Sequence, residues 1–241
     1  MKETSNKKVL LIIPCYNEEH NIGKLLTELK SVQIPGIEIT PLPVNDCSKD
    51  NTVSEIKKHH IAFLNLPVNL GIGGAVQSGI IYAYRNNFDI AVQMDGDGQH
   101  PPQELHKIIL PIIQNETDIA IGSRFINKEG FQSTFFRRFG INFLSGLIKL
   151  CTGKRVLDCT SGYRAFNRKA IELCDKYYPD KYPEPESIVY LLNNGLNVKE
   201  IPVIMKSREG GVSSISGFSS IYYMLKVSLA ILFLNLKPSK K

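Results

Sequence analysis

Ile90-Ala91-Val92-Gln93-Met94-Asp95-Gly96-Asp97-Gly98-Gln99-His100-Pro101-Pro102 holds a strand end, a tight turn and a helix start in one continuous stretch. The apolar run reads as a buried strand. Glycines at 96 and 98 let the backbone turn sharply beside Asp95 and Asp97, and Pro101-Pro102 opens the following helix, where proline is tolerated. Two carboxylates one residue apart at a strand end, with the Gln99 amide behind them, offer the oxygen ligands that hard cations such as Mg²⁺ and Mn²⁺ prefer. Such ions complete their shells with substrate phosphates and water. An acidic turn that merely closes a strand has the same composition, so the neighbouring loops decide between the two.

Upstream, the same strand, loop and helix plan repeats three times. Val9-Leu10-Leu11-Ile12-Ile13 is a short apolar run ended by Pro14, and helical spacing follows at Ile22, Leu25, Leu26 and Leu29. Ile37 to Val44 reads as the second strand, Asn45 to Thr52 as its polar loop, and a helix runs through Ile56. The third unit passes from Ile61-Ala62-Phe63-Leu64 through Asn69-Leu70-Gly71-Ile72-Gly73-Gly74 into a helix with Ala75, Val76, Gly79, Ile80 and Ala83 on one face. Strands alternating with helices predict an α/β, Rossmann-like, mostly parallel sheet flanked by helices, and such sheets bind ligands beyond the carboxyl ends of their strands. The loops at 14–18, 45–48, 69–74 and 95–99 are therefore expected to converge on one rim.

Downstream the pattern loosens. Asp118 to Ile121 is a fifth strand followed by Gly122-Ser123-Arg124, residues 125–134 read as a mobile loop, and Phe135 to Leu150 as an amphipathic helix that opens with Arg137 and Arg138. Asp158-Cys159-Thr160-Ser161-Gly162-Tyr163-Arg164 is a second polar cluster ahead of a helix. A further helix begins near Pro183, and Val198 to Met205 is a late strand. One large α/β unit over 1–215 and a terminal helix over 216–241 are the expected divisions. The terminal stretch from Phe218 to Leu236 has no acidic residue and one base, Lys226. As a helix it is about 28 Å long, near the roughly 30 Å of a bilayer core, but Lys226, Ser228 and Asn235 lie inside it. An amphipathic helix in the membrane plane or docked on a partner is the favoured reading, a core-packed helix the next, and a true span the least favoured.

With 241 residues the chain is long enough for one large domain with a substantial core. Five cysteines, an odd number with no C-x-x-C pair, and no apparent signal peptide favour a reducing, cytosolic setting. The net charge of +6 is concentrated: residues 124–169 hold ten Lys or Arg against two acids, Glu129 and Asp158. A field of that sign suits nucleic acid, an anionic membrane or a phosphorylated substrate. No recognised nucleic-acid module accompanies it. Gly71 and Gly73 before a helix suggest a phosphate-cradling loop. Alanine and valine stand where the dinucleotide fingerprint needs its later residues, and no G-K-[ST] follows. Asp46 can accept from the imino N–H of a uracil or guanine ring, and Pro14 or Tyr16 can pack on the base. A base acceptor, a phosphate loop and a metal-binding D-x-D on one rim describe a nucleoside diphosphate site.

Taken in order, Pro14-Cys15-Tyr16-Asn17-Glu18, Asn45 to Thr52, Asn69-Leu70-Gly71 with Gly73, Asp95 to Pro102, Gly122-Ser123-Arg124 and Asp158 to Arg164 resemble the motifs of glycosyltransferase family 2. Within it they look most like the dolichol-phosphate mannose synthase group, and the resemblance runs over roughly 7–215. It implies a GT-A fold, a nucleotide-sugar donor, Mg²⁺ or Mn²⁺, and an inverting transfer. By position it implies that Pro14, Tyr16, Glu18 and Asp46 contact the nucleoside, that Asp95, Asp97 and Gln99 hold metal and diphosphate, and that Arg124, Ser161 and Arg164 line the acceptor and leaving-group side. Two positions depart from the pattern. Asn45 replaces the first Asp of the usual D-D-G-S, and Ser214 stands where the late R-x-x-G-x-S-K pattern has lysine, which leaves phosphate clamping to Arg208.

Two acceptors remain open at this level. A polyprenyl phosphate, undecaprenyl or dolichyl, is already ionised and needs cations, whereas a sugar hydroxyl on a growing glycan needs a carboxylate base, for which Asp158 is the best placed. The catalytic set is thus Asp97, Asp158, Arg124 and Arg164. The lipid acceptor is the leading expectation, at the cytoplasmic face of a membrane. It carries with it a peripheral association, a small membrane-anchoring protein as a further partner, and room for a homo-oligomer. A non-catalytic nucleotide-sugar-binding scaffold is the alternative of another class.

Overall fold

The structure, a computed structural model, describes residues 6–132, 134–179, 183–207 and 218–236. In the first half, β1 (Lys7–Cys15) leads into α1 (Ile22–Leu29), β2 (Ile37–Asn45) into α2 (Thr52–Lys57), and the short β3 (Leu64–Asn65) into α3 (Gly71–Arg85). β4 (Ile90–Gln93) delivers the acidic turn, followed by a 3-10 turn at Pro102–Glu104, α4 (Leu105–Ile113) and β5 (Ile119–Ser123). α1 buries Ile22, Leu25, Leu26 and Leu29, the residues whose spacing predicts it. β1 is apolar along both faces because both are covered. Leu10 and Ile12 enter one core cluster while Val9, Leu11 and Ile13 enter the other, on opposite sides of the sheet.

The second half consists of α5 (Phe135–Thr152), β6 (Arg164–Asn167), α6 (Arg168–Lys176), α7 (Pro183–Asn193), β7 (Val198–Pro202) and α8 (Phe218–Leu236). The seven strands lie in the order β3-β2-β1-β4-β6-β5-β7. β1 runs parallel to β2 and β4, and β5 parallel to β7. β6 is antiparallel to both of its neighbours, β4 and β5. The sheet is mostly parallel, as expected, with one inverted strand near its middle. Arg164-Ala165-Phe166-Asn167 is short, starts with a charge and has no apolar run, so nothing in its pattern separates it from the polar cluster before it. Inversion has a positional consequence. β6 begins where β4 ends, with Arg164 opposite Gln93, so the loop preceding β6 is delivered to the same rim as the acidic turn.

The terminal helix is packed on the core along one side and exposed along the other. α8 packs on α5 and α7, with Val227 and Ile231 wholly buried, while Leu225, Leu229, Leu232 and Phe233 face outward. Among the described residues no helix is long and apolar enough to cross a membrane.

α3 crosses β1 closely at Gly79, where an added Cβ would land inside the Ile12 side chain. Gly79→Ala ordinarily gains helix propensity of about 0.5–1 kcal/mol, but here the overpacking cost of about 1–3 kcal/mol wins. The variant is expected to unfold at lower urea with an unchanged m-value.

Candidate active site

The loops of the first half are tied to one another by side chains accepting from backbone. The Asn17 N–H donates to Ser48 Oγ (3.0 Å), the Lys49 N–H to Asn17 Oδ1 (2.9 Å), and the Glu18 N–H to Thr52 Oγ1 (2.8 Å). Asn17 adopts φ 56°, a left-handed turn that asparagine tolerates. Asp46 N–H donates to the Cys15 carbonyl, and Gly96 N–H to that of Pro14. The loops at 14–18, 45–48, 69–74 and 95–99 do meet on one rim.

Their individual residues are used in ways their types do not announce. Asp46 is buried, its two carboxylate oxygens accepting from the Leu70 N–H (2.7 Å) and the Gly71 N–H (2.9 Å). It thus supplies, from within the chain, the anion that the start of α3 attracts. α3 begins at Gly71, with φ +76°, so Gly73 and Gly74 lie in its first turn rather than ahead of it. The free N–H groups expected of a phosphate cradle are, at Leu70 and Gly71, already taken. Asn45 donates from Nδ2 to Asn65 Oδ1 (2.7 Å) and accepts from the Ser48 N–H, clasping β2 to β3. An aspartate at 45 lacks that donor, which gives the departure at this position a physical reason. Pro14 and Glu18 are buried, whereas the Tyr16 ring stands open to solvent at the rim.

Around the acidic turn the packing is close. Asp97 Oδ1 accepts from the Gln99 N–H (3.0 Å), and the Gln99 carbonyl accepts from the Lys206 N–H. His100 is buried and stacked on Tyr163, with centroids 4.7 Å apart and planes 8° from parallel. Burial lowers its imidazole to about 4, so it is neutral and accepts the Asp95 N–H at Nδ1 (3.1 Å). Gly162 lies directly against Asp95: a Cβ there would sit 2.9 Å from both carboxylate oxygens and from Gln93 Nε2.

The second half of the rim is held by buried guanidinium groups. Arg164 is 1% exposed. Its Nε donates to the Ser161 carbonyl (2.7 Å), NH2 to that of Cys159 (2.9 Å), and NH1 to the Glu184 carbonyl (2.8 Å) and Ser187 Oγ (3.0 Å). Asp158 is fully buried and bidentate to Arg124, with Nε to Oδ2 at 2.8 Å and NH2 to Oδ1 at 2.7 Å, and it also accepts the Arg124 N–H. Burial works against the Arg124 charge, but the bonds to Asp158 more than offset it and raise its pKa. Glu200 accepts the N–H groups of Leu157 and Asp158 from behind. Ser161 is buried in the turn before Tyr163. Arg208 and Ser214 lie outside the described residues, although the segment leading to them, at Lys206, reaches Gln99.

Residue-type reasoning brings Asp95, Asp97, Gln99, Tyr16 and Asp46 to one place. It misses Gln93, His100, Gly162 and Glu200, whose roles depend on contacts across the sheet. Gln93, His100 and Gly162 lie inside stretches singled out for other residues, and only Glu200 carries no local signal. Among the described residues no three His, Cys, Asp or Glu side chains are grouped to cage a metal. Asp95 and Asp97 are both partly exposed, Gly162 leaves no side chain over Asp95, and the two carboxylates together with the Gln99 amide offer oxygen donors only. That fits an ion whose remaining ligands come from substrate and water.

A family model described as glycosyl transferase family 2 matches residues 10–174. A UDP-N-acetylglucosamine–dolichyl-phosphate N-acetylglucosaminyltransferase of Methanococcus voltae is 30% identical, covering 93% of this chain and 98% of its own. The polyprenol monophosphomannose synthase of Mycolicibacterium smegmatis is 29% identical over 92% of this chain and 86% of its own. Among solved structures, glucosyl-3-phosphoglycerate synthase of Mycobacterium tuberculosis, in complex with Mn²⁺, UDP and glucosyl-3-phosphoglycerate, superposes with a TM-score of 0.68. It is 16% identical and covers 95% of this chain and 80% of its own.

Removing either partner of the Arg124–Asp158 pair strands a buried charge. Arg124→Ala and Asp158→Ala are each expected to lose about 3–5 kcal/mol, while the double variant Arg124→Ala with Asp158→Ala loses much less than the sum. A double-mutant cycle of urea melts reads the coupling.

Proposed function

Because the chain belongs to glycosyl transferase family 2, we propose that it transfers a hexose or N-acetylhexosamine, with inversion, from a nucleoside diphosphate sugar to a polyprenyl phosphate. The observation that carries the choice of acceptor is the state of Asp158. A hydroxyl acceptor needs a carboxylate to take its proton, and the carboxylate of the second polar cluster is fully buried and bound at both oxygens by Arg124. A phosphate acceptor is ionised near neutral pH and needs no base. The near-full-length relatives whose names specify dolichyl phosphate or polyprenol support the same choice.

In this reading the acceptor phosphate oxygen forms its bond to the anomeric carbon as the bond to the nucleoside diphosphate breaks, and the leaving oxygen carries off the electron pair. Tyr16 covers the base, while Pro14, Glu18 and Asp46 shape the nucleoside pocket through the backbones they hold. Asp95, Asp97 and the Gln99 amide would hold Mg²⁺ or Mn²⁺, which would supply charge neutralisation to the diphosphate leaving group. Gly71 and Gly73 keep the start of α3 slim enough for the diphosphate to pass. Arg124, buried and bound at both Asp158 oxygens, fixes the backbone beside the acceptor, and phosphate clamping is assigned to Arg208, outside the described residues. Asp158, Ser161 and Arg164 act through position, by holding Arg124 and Gly162 in place. The enzyme works at the cytoplasmic face of a membrane, as a peripheral protein.

Incubation with radiolabelled nucleotide sugars and polyprenyl phosphate, then organic extraction, tests this directly. Label is expected in the organic phase with one donor, lost with a chelator and restored by Mg²⁺ or Mn²⁺. Asp97→Ala is expected to lower turnover by about a hundredfold or more while the fold stays intact by circular dichroism. No extractable label with any common donor would sink the lipid acceptor.

A further inference from the structure

α5 and α8 lie side by side. A Cβ added to Gly140 would sit 3.2 Å from Met224 Sδ, so the two helices touch there, one residue from Phe139 on α5 and from Leu225 on α8. At about 100° per residue, Phe139, Phe143 and Leu150 fall within about 40° of one another on α5, and Leu225, Leu229, Leu232 and Phe233 fall within about 100° on α8. All seven are exposed, Phe139 to 72%, Leu150 to 82% and Phe233 to 63%. The opposite faces are fixed in the core through Ile141, Leu144 and Ile148 on α5 and Val227 and Ile231 on α8. Neither helix is therefore free to roll its apolar stripe inward. Single exposed leucines are ordinary, but seven large apolar side chains on two adjoining helices mark an interaction surface.

Charge selects the occupant. Residues 130–157 contain no Asp or Glu and carry Arg137, Arg138, Lys149, Lys154 and Arg155, and α8 has no acidic residue. A second copy of this chain placed on the same face brings its own cations against these, since a twofold contact presents one patch to itself. An anionic bilayer meets both features, with apolar stripes at the acyl boundary and cations among headgroups. We propose that α5 and α8 form one rigid plate that lies in the plane of an anionic membrane. This rests on the lipid-phosphate reading above and deepens it, because α5 starts directly after the loop that follows Arg124, so the plate sets the acceptor half of the site at headgroup depth.

Flotation of the full chain with phosphatidylcholine vesicles, with and without phosphatidylglycerol, tests the plate. Binding is expected with phosphatidylglycerol, weakening in its absence and at high salt. The pairs Phe139→Ser with Phe143→Ser and Leu229→Ser with Phe233→Ser are each expected to cut partition by about tenfold or more. Transfer to a short, water-soluble prenyl phosphate should stay within about twofold of wild type in both, which separates lost docking from lost folding. Wild-type binding retained by the α5 pair, or a wild-type dimer that these substitutions dissociate without any flotation, overturns the plate. Normal flotation with no transfer to any prenyl phosphate leaves the plate standing and removes the proposed acceptor.

Discussion

Arg164 is the constraint on which the second half of the fold depends. Its guanidinium cannot shed its proton, so a position this deeply buried requires that its donors be met, and they are met by three carbonyls and a hydroxyl drawn from two separate segments. Because Arg164 is also the first residue of the inverted strand β6 and stands opposite Gln93, those bonds clamp the 158–163 loop onto the end of β4. Gly162 then lies on Asp95, Tyr163 stacks on His100, and His100 accepts the Asp95 N–H. The acidic turn is thus shaped on one side by a strand that runs against the sheet.

On the other side it is shaped by ordinary parallel units, and there buried or half-buried side chains do the holding. Asp46 spends its carboxylate on the start of α3, Thr52 and Ser48 accept from the first loop, and Asn45 clasps Asn65. Loops laced in this way keep their backbone groups satisfied before any ligand arrives. Binding then loses little conformational freedom in the rim, which is how a preorganised site gains affinity and transition-state stabilisation.

The same contrast separates what a reader of the sequence can see from what is hidden. β1, β2 and β4, α1 and α3 show as apolar runs and helical spacing, because each is defined by its own residues facing a covered sheet. The convergence of the four loops follows from strand direction alone. β6 stays hidden because four residues carry no period, and with it the arrival of the 158–163 loop at the rim, the contact of Gly162 with Asp95 and the burial of Arg164. Asp158 illustrates the limit at single-residue scale. Its type suits a base, a metal ligand or an ion-pair partner equally, and only the bidentate contact with Arg124 decides among them.

Charge must be read after burial, not before it. Of the ten cations between 124 and 169, Arg124 is neutralised by Asp158, Arg164 is enclosed by carbonyls, and Arg168 donates to the carbonyls of Ala83, Tyr84 and Phe88 at the end of α3 while stacking on Tyr84. Three guanidinium groups therefore serve the interior. What projects a field outward is the set along α5 and just beyond it, with Arg137, Lys149, Lys154 and Arg155 exposed. Those cations flank the helix whose Phe139, Phe143 and Leu150 face solvent, so the positive field and the apolar surface coincide on one element. A free phosphorylated sugar would need only the cations. The coincidence of both is what an acceptor joining a phosphate to a long hydrocarbon would require of the protein that meets it.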